Sequence, residues 1–64
     1  TPRELEVLRL LVDGRSNDQI GAELRITTRT VEAHLTRLFE RSGAQSRTEL
    51  ATRALREGWL DLPS

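Results

Sequence analysis

The chain has 64 residues, no cysteine, and ten acids balanced by ten arginines for a formal net charge of zero. That length allows one domain, spanning 1–64, and the absence of cysteine excludes disulfides and thiolate metal sites as sources of stability. A domain this small buries only about 60% of the surface its unfolded chain exposes, so it is marginally stable. No apolar stretch approaches the roughly 20 residues that a membrane helix needs, and the first residues lack a signal-peptide pattern, so a cytoplasmic protein is expected. The chain starts directly on a helix cap and reads as a piece of something longer.

Four helices are predicted in chain order. Thr1-Pro2-Arg3-Glu4 is a capping box with proline at the first helical position, and Leu5, Leu8, Leu11 and Val12 continue as an apolar stripe until Gly14. Ser16-Asn17-Asp18-Gln19 is a second capping box, opening a short helix that points Ile20 and Leu24 inward. Thr27 caps the third helix, which runs to about Ser42 and stops at Gly43. Ser46-Arg47-Thr48-Glu49 is a third capping box, followed by an apolar face of Leu50, Ala51, Ala54 and Leu55 that ends at Gly58. Trp59, Leu60 and Leu62 form a short apolar tail. Nothing reads as a strand, so the expected class is all-α.

Charge is unevenly placed along this order. Residues 1–24 hold three Arg and five acids, net −2; residues 25–48 hold five Arg and two acids, net +3; residues 49–64 hold two Arg and three acids, net −1. The positive third holds the connection Arg25-Ile26-Thr27 and helix three, which with helix two before them make a helix–turn–helix candidate. Gly21 is small where crossing helices approach, and Leu24, Ile26 and Val31 can close one small core across the turn. An ordinary helical hairpin has the same spacing. That all the basic residues are arginine suits phosphate and guanine contacts, and a GC-rich genome gives the same composition.

At about 100° per residue, Val31, Leu35, Leu38 and Phe39 share the core side of helix three. Arg29, Ala33, Thr36, Arg37 and Glu40 fall opposite, with Glu32 at the flank. In a recognition helix such a face reaches base edges. Arg29 can meet phosphate or guanine, Glu32 can accept from a cytosine amino group, and Ala33 and Thr36 can pack on a thymine methyl. The alternative is a solvated face, although small Ala33 and Thr36 stand where Lys or Glu serves solubility better. Capped helix starts also present amide donors to phosphate. Ser46-Arg47 is the best of these, and Thr27, Thr28 and Thr30 add hydroxyls. One histidine, no cysteine and no carboxylate cluster beside a nucleophile leave no catalytic residue, and His34 has no ligand partner at a useful spacing. No enzyme, metal, cofactor or small-molecule ligand is therefore expected.

The segments "TPRELEVLRLLVDGRSNDQIGAEL", "IT" with "RTVEAHL", and "SRTEL" together closely resemble the LuxR-type (GerE-like) helix–turn–helix domain of bacterial transcription regulators, over residues 1 to about 56. The resemblance implies a four-helix fold with helix three in the major groove of double-stranded DNA. It implies base-facing roles for Glu32, Ala33 and Thr36, and backbone contacts by Arg29, Thr30, Arg37 and Arg47. It further implies a homodimer on paired half-sites, joined through outward residues of helix four that include Ala51, Thr52 and Leu55. A receiver or ligand-binding domain usually precedes such an output domain. His34 matches a histidine common in the family and is expected to be structural or phosphate-adjacent. Four positions depart from the pattern. Ser42 replaces the usual Leu, and Ala44 replaces Val, for which Trp59 or Leu60 is expected to compensate. Gly21 replaces Ala at about 1 kcal/mol to helix two. Glu32 sets an acid against a polyanion, which suits rejection of wrong bases better than affinity. A protein-interaction module and a sigma-like promoter-recognition domain remain alternatives at this point. Strong salt dependence separates DNA binding from an apolar docking surface.

Overall fold

Helices two, three and four each start where a side-chain oxygen meets an amide that the first turn leaves open, and the backbone turns left-handed at or just past most helix ends. The structure is a computed structural model that describes residues 2–60; Thr1 of the first capping box and Leu62 of the tail lie outside them. Four helices appear as expected: α1 (Pro2–Val12), α2 (Asn17–Leu24), α3 (Thr28–Ser42) and α4 (Arg47–Arg56). No strand occurs among the described residues, and the class is all-α. Three residues, Arg25 to Thr27, separate α2 from α3 and make the turn of the helix–turn–helix.

The caps follow the sequence closely, with one correction. Ser16 and Gln19 form a complete box: Gln19 N donates to Ser16 Oγ at 3.1 Å, and Ser16 N donates to Gln19 Oε1 at 2.9 Å. Thr27 Oγ1 accepts from Thr30 N at 3.1 Å. The third box forms by half. Ser46 Oγ accepts from Glu49 N at 3.0 Å, but the Glu49 carboxylate accepts from Gln45 N, at 3.2 and 3.4 Å, one residue upstream of the cap. Gly14 and Gly58 take positive φ at the ends of α1 and α4. There Arg15 N returns to Leu10 O at 3.1 Å, and Trp59 N returns to Ala54 O at 3.0 Å. The second of these folds Trp59 back onto the domain. The left-handed residue after α2 is Arg25 (φ 59°), which the sequence does not betray because arginine seldom takes this conformation.

Helix α1 is the hub, packed against α2, α3 and α4. Its buried arc is therefore wider than the single stripe expected. Val7, Leu8, Leu10 and Leu11 are buried, whereas Leu5 and Val12 are only half-buried. Ile20, Val31, Leu35, Ala44, Leu50 and Ala54 complete the core. Full burial of a side chain such as Ile20 or Val31 contributes about 1.5–3 kcal/mol. The expected apolar face of α4 splits. Leu50 and Ala54 point in and Ala51 packs partly against the core, but Leu55, about 140° round the helix from Leu50, is 65% exposed.

Two departures from the family pattern have a visible physical account. Ala44 N donates to Ser42 Oγ at 3.0 Å, so the serine satisfies the amide just past the end of α3. Trp59 and Leu60 pack against the core, as compensation requires. The filling is partial, because a largely apolar cleft of about 520 Å³ remains between Leu5, Leu8, Leu38, Ser42 and Trp59. Arg53 closes this end of the molecule. It donates to the Ser42 carbonyl, pairs with Glu57 at 3.2 Å, and stacks 5.4 Å from the centre of the Trp59 ring. At the other end of α3, the turn closes tightly on α2. A methyl group at Gly21 would stand 2.8 Å from the Ile26 carbonyl oxygen.

Candidate nucleic-acid interface

The starts of α2, α3 and α4 lie together around one cleft, tied by side chains of their first turns. Thr28 Oγ1, on the first turn of α3, donates to Asp18 Oδ1 on the first turn of α2 at 2.9 Å. Arg47, on the first turn of α4, donates to Asn17 Oδ1 at 2.7 Å and to the Arg15 carbonyl at 3.1 Å. Between them lies an open polar cleft of about 530 Å³ walled by Asn17, Asp18, Thr28, Glu32 and Arg47. Three partial positive helix ends therefore face the same solvent.

The outward face of α3 continues from this cleft. Val31 and Leu35 are buried, and Glu32, Ala33 and Thr36 are exposed, as the helical period predicts. The Thr36 hydroxyl donates to the Glu32 carbonyl at 3.0 Å, which leaves its methyl group and oxygen lone pairs facing out. Among the described residues, the side chains of Arg29, Glu32 and Ala33 make no hydrogen bond or ion pair with the rest of the fold. Thr30 is exposed, its hydroxyl 3.0 Å from that of Thr27. His34 is half-buried at the edge of the core, with Nδ1 shielded from solvent and without a hydrogen-bond partner.

Other predicted backbone-contact residues have intramolecular partners as well. Ser46 Oγ is the α4 cap, and Arg47 is tied to the start of α2. Arg37 is 59% exposed and lies 3.7 Å from Glu4 Oε2. Glu4 has a further role that its place in the first capping box does not reveal: it is 2% exposed, with Arg41 donating to its Oε1 at 2.8 Å. A signal was present, since Glu4 stands three and four residues before buried Val7 and Leu8. Glu4 and Asp18 both come from the acidic first third of the chain and fold against the positive segment, so the charge segregation of the sequence is softened in space. Asp18 and Asn17 carried no comparable signal, because their partners lie across turns.

The helix-four residues divide in the same way. Thr52 and Leu55 are exposed, whereas Ala51 is partly taken up by the core. Among the described residues, no helix is long and apolar enough to cross a membrane.

This arrangement has close counterparts. A family profile described as "Bacterial regulatory proteins, luxR family" matches residues 1–54. The chain is 47% identical over 58 residues, 91% of its length, to "Response regulator Rre1" of Synechocystis. It is 43% identical over 56 residues, 88% of its length, to "Transcriptional regulatory protein LiaR" of Bacillus subtilis. Against "Transcriptional regulatory protein DegU" of Brevibacillus brevis it is 37% identical over 60 residues, 94% of its length. It spans only 25–26% of the length of these relatives. With a matched profile over most of the chain and four helices arranged around a helix–turn–helix, the chain belongs to the luxR family of bacterial regulatory proteins, whose membership implies DNA binding and transcription regulation.

Proposed function

We propose that this chain is a sequence-specific double-stranded DNA-binding domain that sets α3 in the major groove and binds paired half-sites as a homodimer. The observation that carries this reading is the outward face of α3. Glu32, Ala33 and Thr36 are exposed, Ala33 and Thr36 are small at mid-face, and Arg29 lies beside them with the α2 and α4 N-termini flanking. Arginines and helix ends fix position on phosphates, and the α3 face reads bases. Arg29, Thr30, Arg37, Ser46 and Arg47 are the backbone-contacting residues in this account. Thr52 and Leu55, with the exposed edge of Ala51, form the dimer contact; an exposed leucine on an otherwise polar helix face supports that assignment. One relative is named a response regulator and two are named transcriptional regulatory proteins, and this chain spans about a quarter of each, which supports a place as the output domain of a longer regulator, here taken to be cytoplasmic. The family is one of transcription regulators and not an enzyme class, and the proposed activity uses no cofactor, metal or small-molecule ligand.

The test is a binding selection from a random duplex pool at low salt. Enrichment of a motif with two related half-sites is the expected result. Retention without any motif contradicts base reading by Glu32, Ala33 and Thr36. Absence of retention contradicts DNA binding by this chain and favours a protein-docking surface.

A further inference from the structure

Resting on the reading of α3 as the helix that meets DNA, we propose that Glu4 competes with DNA phosphates for Arg37 and so holds down binding to every duplex alike. Glu4 faces two arginines one helical turn apart, and they hold it unequally. Arg41 makes a charge-assisted hydrogen bond of 2.8 Å to Oε1. Arg37 stands 3.7 Å from Oε2, too far for a hydrogen bond, and is held by attraction alone. Its side chain is 59% exposed, so water weakens that attraction further.

Arg37 also occupies the right place to change partners. It follows Thr36 directly and lies one turn beyond Ala33, at the rim of the reading face. A phosphodiester oxygen at hydrogen-bond distance is a better partner than a carboxylate at 3.7 Å. When Arg37 moves to it, Glu4 retains Arg41, so the buried carboxylate is never left without a cation. The contact with phosphate is then an exchange of one anion for another, and it yields less affinity than an arginine drawn from water. Base contacts at Glu32, Ala33 and Thr36 are untouched by this exchange, so it changes affinity and not preference.

The test is a double-mutant cycle of Glu4→Gln and Arg37→Gln, read as affinity for a short random-sequence duplex across a salt series. Glutamine keeps the volume and an oxygen for Arg41 but removes the competing charge. Glu4→Gln is expected to bind roughly two- to tenfold tighter at low salt, with a log–log salt slope steeper by up to about 0.9. In the Arg37→Gln background, the same substitution is expected to change neither quantity. Equal affinity of Glu4→Gln and the unmodified chain overturns the proposal. So does a gain that persists without Arg37, because it marks a general charge effect. A purely structural Glu4 predicts lower thermal stability and no gain in affinity. Should Glu4→Gln fail to fold, Glu4→Asp, which withdraws the carboxylate by one carbon, goes through the same cycle with the same expected signs. If the unmodified chain does not bind duplex at all, this proposal and the DNA-binding reading fall together. If it binds and Glu4→Gln shows no gain, only the proposal falls.

Discussion

The two halves of α3 share one apolar stripe and differ in everything that faces away from it. In residues 28–35 the outward side chains Arg29, Glu32 and Ala33 are left to solvent, and the local bonds serve only the cap and the tie from Thr28 to Asp18. In residues 36–42, beyond exposed Thr36, the ties run to the rest of the fold: Arg41 hydrogen-bonds Glu4 of α1, Arg37 stands more loosely beside the same carboxylate, and Arg53 of α4 donates to the Ser42 carbonyl. The helix is thus anchored by its C-terminal half and offered by its N-terminal half. A helix that reads another molecule needs both, because an orientation fixed elsewhere lets the reading face stay small and free of internal contacts.

Breaking the stripe common to both halves has the largest expected effect. Leu35→Ala removes a buried side chain at the junction of the halves and should destabilise the domain by about 2–5 kcal/mol, enough to unfold much of it. Thermal or urea unfolding measures this. Next comes the anchor. Arg41→Ala takes away the direct hydrogen bond to buried Glu4 and should cost about 1–2 kcal/mol in the same measurement, a figure already lessened because the arginine side chain is 62% exposed. Arg47→Ala should weaken binding to all duplexes by a similar factor and flatten the salt slope by about 0.9, read by titration at several ionic strengths. On the reading half, Glu32→Ala should alter stability by less than about 0.5 kcal/mol while changing which bases a random-pool selection enriches. An unchanged motif would remove Glu32 from the reading face. The smallest effect is expected for Gly21→Ala. Its gain in helix propensity, about 1 kcal/mol, is offset by displacing the Ile26 carbonyl, so the unfolding midpoint should hardly move.

Local signals carried most of this architecture. Capping residues, the terminal glycines and the apolar periodicity located all four helices within a residue or so, because each depends on neighbours in the chain. The outward face of α3 was legible for the same reason. What escaped was set by distance across the fold. The breadth of the buried arc of α1 depends on three neighbours at once, so Val7 and Leu10 were missed while Leu5 was overcounted. The pairing of Glu4 with Arg37 and Arg41, the hold of Arg47 on Asn17, and the seating of Arg53 over Trp59 join residues far apart in sequence. Glu49 shows a subtler limit: the box pattern is present, yet the carboxylate accepts from a neighbouring amide, that of Gln45, and not from the cap's own.

The central claim is that one face of one helix meets DNA, and amide chemical-shift mapping by NMR tests it most directly. The chain is titrated with a selected duplex and the shifts are read residue by residue. The largest changes are expected on Arg29, Thr30, Glu32, Ala33 and Thr36 and at the first turns of α2 and α4, with little change on the outer face of α1 at Glu6 and Arg9. Changes concentrated on α1, with the α3 face unmoved, would contradict it.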